Sequence, residues 1–153
     1  MVIQMEEKEK FMKEALKEAK KAYKKLEIPV GAVIVKNGKI IARGHNLKET
    51  ETDTTKHAEI IAIQKASKKL KSWRLLDCDM YVTLEPCMMC TGAIINSRID
   101  NVYYACKDPK GGALVSNIKL LDIKNINHYP KIHSSLMEEE CSKLLKDFFK
   151  NKR

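Results

Sequence analysis

From Glu6 to Leu26 the apolar residues Phe11, Ala15, Leu16, Ala19, Ala22, Tyr23 and Leu26 recur every three or four positions, with lysines and glutamates between them. That spacing lays one apolar stripe along an amphipathic helix, which Pro29 terminates. The period then changes. Val30 to Val35 is an apolar run interrupted by Gly31, and Ile40-Ile41-Ala42 follows just beyond Asn37-Gly38. Asn-Gly between two β-rich runs predicts a hairpin, because both residues accept positive φ.

Asn46 to Lys56 is polar and reads as a loop. Helical spacing returns from His57 to about Leu70, with Ile60, Ile61, Ile63, Ala66 and Leu70 on the expected buried side. Met80 to Leu84 predicts a buried strand, Met88 to about Asn96 a short helix, Val102 to Ala105 another strand, and Asp108 to Gly112 a loop. Asn117 to His133 has no clear period. Met137 to about Phe149 predicts a last helix, with Cys141, Leu144, Leu145, Phe148 and Phe149 at helical spacing. Strands alternating with helices point to an α/β fold with a sheet covered on both faces. No internal repeat or linker interrupts the chain, so residues 1–153 are expected to form one domain.

The composition fits that expectation. A chain of 153 residues with 44% hydrophobic and 32% charged residues has enough apolar material for one core and is too apolar to be disordered. The net charge of +9 favours polyanionic partners, nucleic acid first, although surface lysine also serves solubility. No apolar stretch approaches the roughly 20 residues that span a bilayer, and no secretory signal opens the chain. Five cysteines, two of them in a CxxC, fit a reducing cytoplasm better than a disulfide framework.

The chemistry sits in two short motifs, His57-Ala58-Glu59 and Pro86-Cys87-Met88-Met89-Cys90. Cys87 and Cys90, at i and i+3, share one face of a helix that Cys87 begins, where the helix dipole stabilises thiolates. His57 likewise opens a helix. Imidazole with two thiolates makes a three-ligand zinc set, which leaves a coordination position for water as catalytic sites do. No second CxxC closes the site, and Cys78 is expected to lie beyond coordination distance. Glu59 is then the group that moves protons beside an activated water. The HExxH spacing of metalloproteases is absent.

This combination resembles the cytidine-deaminase-like zinc deaminases, whose signature is HxE followed by PCxxC. Much of the chain further resembles the bacterial tRNA-specific adenosine deaminases, at Ile28 to Val33, Gly44-His45-Asn46, His57 to Ile60, Tyr81 to Cys87, Gly92-Ala93-Ile94, Ser97-Arg98-Ile99, Asp108 to Ala113 and Asp147-Phe148-Phe149. The resemblance implies a three-layer α/β/α fold around a mixed five-stranded sheet, in a homodimer. It implies one Zn2+ per subunit on His57, Cys87 and Cys90, with Glu59 as the catalytic proton shuttle. Asn46 would contact the flipped adenosine, Pro29, Val30 and Ala58 would shape its pocket, and Asp108 would lie near the neighbouring nucleotides. Phe148 and Phe149 would border the RNA groove or pack in the core. The implied reaction is hydrolysis of adenosine to inosine at the wobble position of a tRNA anticodon arm, with release of ammonia. The sequence departs from the family at Asp53-Thr54-Thr55 and Lys56, before His57, and at Cys106-Lys107, before Asp108.

Two other functions use the same motifs. One is deamination of a free nucleobase or nucleoside of guanine or cytosine type, which the +9 charge and the Asp108 to Ala113 loop disfavour. The other is a non-catalytic, zinc-stabilised RNA-binding domain, which requires a fourth protein ligand and tolerates replacement of Glu59.

Overall fold

The computed structural model describes residues 2–151. Its elements run α1 (Val2–Lys24), β1 (Gly31–Lys36), β2 (Lys39–His45), α2 (Ala58–Leu70), β3 (Cys78–Leu84), α3 (Met88–Ser97), β4 (Asn101–Cys106), a 3-10 turn (Leu120–Asp122), β5 (Lys131–His133) and α4 (Glu138–Asn151). The sheet order is β2-β1-β3-β4-β5. β1 pairs antiparallel with β2 and β3, whereas β3–β4 and β4–β5 are parallel. This is the mixed five-stranded sheet of the cytidine-deaminase-like fold.

Alternation along the strands divides the core in two. Ala32 and Ile34 of β1, Met80 and Val82 of β3, and Val102 and Tyr104 of β4 face a cluster completed by Ala58, Ala62 and Ala66 of α2 and Ile94 of α3. Val33, Val35, Tyr81, Tyr103 and Ala105 face the opposite side, against Phe11, Met12, Ala15, Leu16 and Ala19 of α1 and Cys141 of α4. The β1–β2 hairpin turns through Asn37 and Gly38, both at positive φ (52° and 73°), as their sequence predicts.

Two glycines set the spacing of the layers. A Cβ on Gly31 would overlap Ala15 O and Ala19 N of α1, and a Cβ on Gly44 would overlap Ala58 O of α2. Both helices therefore press directly on the strand backbone. At the other end of α2, Lys71 adopts the left-handed conformation (φ 53°) that closes a helix. Arg98 does the same for α3 (φ 68°), and its guanidinium donates to the carbonyls of Ile95 and Asn96 at 3.1 and 3.0 Å.

Three readings of the sequence change. The first helix ends at Lys24, so Leu26 lies outside it, at φ 62° and 79% exposed, while the charged Glu27 beside it is fully buried. Ile60 belongs to neither core cluster; Ala58, Ile61, Ala62 and Ala66 make the buried face of α2. The stretch without a period contains β5, whose His133 stacks on Tyr103 at 4.3 Å between ring centroids. Among the described residues, no helix is long and apolar enough to cross a membrane.

Candidate active site

β3 ends at Leu84, beside the C-terminal end of its parallel neighbour β4. Just past this edge stand the N-termini of α2 and α3. His57 is the N-cap of α2 and Cys87 the N-cap of α3. Their carbonyls accept the first helical bonds, from Ile61 N (3.0 Å) and Thr91 N (2.8 Å), while neither side chain caps its helix. The imidazole and the thiol are thus free to turn into the gap between two helix N-termini, where the backbone field favours negative charge.

Cys87 and Cys90 Sγ stand 3.6 and 3.5 Å from the same atom, Nδ1 of His57. The ligand atoms of the three residues lie within 4.8 Å of one another, and among the described residues this is the one such metal-competent group. One imidazole and two thiols converging on a point match the three protein ligands of an open zinc site. Nδ1, rather than Nε2, is the imidazole atom that faces the sulfurs.

The two sulfurs are electrostatically unequal. A hydrogen bond from Cys90 and another with His57 outweigh burial and bring Cys87 down to about 4. Cys90 is pushed far up, because its proton bonds to Cys87 and because it is buried. The bond with Cys87 raises His57 in turn. Glu59, 4% exposed, is raised to about 7, chiefly by burial. A buried carboxyl with that affinity can both accept and release a proton near neutrality.

His57, Glu59 and Cys87 open onto a cavity of about 170 Å³, while Cys90 is fully buried and does not line it. Of the residues the sequence singles out, His57, Ala58, Glu59, Cys87, Asn46, Val30 and Asp108 line it; Pro29 lies between the lining residues Ile28 and Val30 without lining it itself. Asn46 is held at both ends of its amide: Nδ2 donates to Ile28 O (3.3 Å) and Oδ1 accepts from Lys48 N (3.1 Å). Cys78, at the start of β3, stands apart from the ligand group, and all five cysteines are free thiols. His45 is structural, its Nδ1 bonded to Glu18 at 3.0 Å.

Four lining residues have no site role in the sequence reading: Ile28, Leu84 and Glu85, which lie within the resembling segments, and Lys48. Glu27 was equally hidden. Its buried carboxylate accepts from Glu49 N (3.1 Å), Thr50 N (2.6 Å) and Thr50 Oγ1 (2.6 Å), which pins the loop that carries Lys48. Nothing in a glutamate-rich sequence distinguishes these two carboxylates from solvated ones.

The phenylalanine pair of α4 divides its work. Phe148 is buried and meets Tyr23 edge-on, at 5.6 Å between ring centroids. Phe149, half exposed, lines a second depression with Ile28, Leu84, Asp108, Lys110 and Leu145. Three of those residues also line the catalytic cavity, so the two are contiguous. Lys152 and Arg153 fall outside the described residues.

The family model of the MafB19-like deaminases matches residues 6–153. The tRNA-specific adenosine deaminase of Bacillus subtilis (strain 168) is 49% identical over 149 residues, which is 97% of this chain and 92% of its own. A solved structure from a study of A-to-I editing by tRNA:A34 deaminases at the wobble position of transfer RNA superposes with a TM-score of 0.85. It is 43% identical, over 88% of this chain and 97% of its own. A guanine deaminase structure from Bacillus subtilis is 46% identical but has a TM-score of 0.63, over 65% of this chain and 64% of its own.

Proposed function

The chain belongs to the MafB19-like deaminase family, and we propose that it is a zinc-dependent hydrolase converting adenosine to inosine at the wobble position of a tRNA anticodon. The observation that carries this reading is that His57, Cys87 and the buried carboxyl of Glu59 line one cavity, with the thiol of Cys90 buried behind it in the same metal-competent group. Relatives named for tRNA adenosine deamination match almost the whole chain at 42–49% identity, whereas the guanine deaminase structure that is 46% identical covers 65% of it and one that covers 92% is only 22% identical. The net charge of +9 suits a phosphate-rich substrate.

His57, Cys87 and Cys90 would hold one zinc ion per subunit. The bound ion supplies Lewis acidity that makes a water molecule nucleophilic near neutral pH. Glu59 would take one proton from the water that adds to C6 of the base and deliver it to N1, then take the second from the new C6 hydroxyl and pass it to the departing amine. Adenosine and water thus become inosine and ammonia. Asn46, fixed by Ile28 and Lys48, holds the base, while Val30 and Ala58, flanked by Pro29, shape the apolar walls. An anticodon loop is already single-stranded, so turning one base into a small cavity costs less than extrusion from a duplex. Asp108 and the contiguous depression ending at Phe149 would receive neighbouring nucleotides. The working form is a homodimer in the cytoplasm, where the five cysteines, none of them in a disulfide, stay reduced.

Incubation of the zinc-loaded protein with a tRNA carrying adenosine at the wobble position, followed by nucleoside analysis, tests the reading. Inosine should appear, and Glu59→Ala should abolish it with zinc still bound. Ammonia release from free guanine or a free nucleoside, without inosine in tRNA, would replace this reading with the small-molecule one.

A further inference from the structure

The loop after β4 is tied down by a carboxylate that no part of the proposed chemistry uses. Glu85 follows β3 directly, is 2% exposed, and stands two residues before Cys87. Its Oε1 accepts from Asp108 N (3.1 Å) and Ser116 Oγ (2.5 Å). Its Oε2 accepts from the amides of Leu114 (3.1 Å), Val115 (2.8 Å) and Ser116 (3.0 Å). Ala113 N adds a bond to Pro86 O at 2.9 Å. The loop is therefore wrapped around the segment that leads into Cys87, and a methyl group on Gly112 would overlap the Glu85 carboxylate.

Burying an anion is costly unless several donors are aimed at it. Three successive amides converging on one oxygen form a backbone nest for negative charge. Here that charge comes from within the chain, so the bonds specify where the loop lies. Asp108, at the loop's leading edge, lines the cavity, and its own carboxylate is engaged in shaping the loop, accepting from Lys110 N (3.2 Å) and Gly111 N (3.1 Å). We propose that Glu85 is a positioning residue for substrate: its carboxylate sets the Asp108–Ser116 wall against the cavity beside the metal-ligand cluster. This rests on the function proposed above.

Glu85→Gln separates the two halves of the tie. The amide oxygen can still accept from residues 114–116, and the Ser116 hydroxyl can rotate to accept from the new NH2. At Asp108 N, however, donor then faces donor. Steady-state kinetics on an anticodon stem-loop RNA should show KM raised about tenfold, as for one lost hydrogen bond to a charged group, with kcat nearly unchanged. Zinc content should stay at one per chain. Hydrogen–deuterium exchange on the zinc-loaded protein should quicken at the Asp108 amide and not in β3. Ser116→Ala should raise KM in the same direction by less, and it decides the matter if Glu85→Gln does not fold. Wild-type KM and exchange in the variant would overturn the proposal, as would a fall in kcat accompanied by zinc loss at constant KM. If the wild-type chain made no inosine, the functional reading would fail, while the exchange measurement would still judge the tie.

Discussion

Gly44 of β2 lies against Ala58 of α2 so closely that a methyl group on the glycine would overlap the Ala58 carbonyl oxygen. Ala58 is the first residue of the helix that His57 caps. A backbone contact with no side chain between thus governs where the imidazole stands relative to Cys87 and Cys90. Gly44→Ala should force α2 away from the sheet. Overpacking of this kind costs about 1–3 kcal/mol, read as a lowered denaturation midpoint. Zinc affinity should fall with it, because the imidazole moves with the helix. An unchanged zinc affinity would show that the helix start adjusts independently of its packing.

Glu59→Gln keeps the size of the side chain and removes its proton chemistry. Inosine formation should drop by at least about 10²-fold. Zinc content, measured by metal analysis, should stay at one per chain, since Glu59 is not in the ligand group.

Cys90 is fully buried at the metal-competent cluster. Chelation should abolish activity, and restored zinc should recover it. Zinc added to chelator-treated wild-type protein should raise its Tm, because a ligand that binds only the folded state stabilises it by about 4 kcal/mol at a thousandfold excess over Kd. In Cys90→Ala the same addition should leave Tm nearly unchanged, as followed by thermal scans with and without zinc.

Glu27 gives the fold an acid-sensitive joint. Burial pushes its carboxyl up, but the Thr50 hydroxyl and the amides of Thr50 and Glu49 outweigh burial and hold it below its ordinary value of 4.5. A carboxyl depressed in the folded state contributes stability that is complete above about pH 4.5 and is lost as pH falls through the folded value. Glu27→Gln should therefore cost about 1–3 kcal/mol at pH 7. Below pH 4.5 its stability should depend less steeply on pH than that of the wild type. Urea denaturation at a series of pH values measures both effects.

Local rules carried the sequence a long way, because what they describe is local. Apolar spacing along α1, α2 and α4, the positive-φ tolerance of Asn37-Gly38, and the HxE and PCxxC motifs need only a few consecutive residues to be read. His57 and Cys87 were legible as helix starts for the same reason, and with them the group of three side chains that could hold a metal ion. The limits were equally physical. Lys131–His133 has no period of its own and becomes a strand through pairing with β4. Leu26 follows the helical spacing yet falls past the end of α1, so its apolar side chain faces water while Glu27 turns inward.

The chemical repertoire was thus set by the sequence itself: one imidazole, two thiols and one carboxyl at spacings that suit an open zinc site. The tertiary structure alone decided that Nδ1 faces both sulfurs, that Lys48 and Leu84 join the cavity wall, and that Glu27 and Glu85 are buried loop anchors. Those outcomes depend on the meeting of segments distant in sequence, as Glu27 meets Thr50, 23 residues on, and Glu85 meets Ser116, 31 residues on. A carboxylate's donors are assembled by the fold, so its role becomes visible only where the chain returns to it.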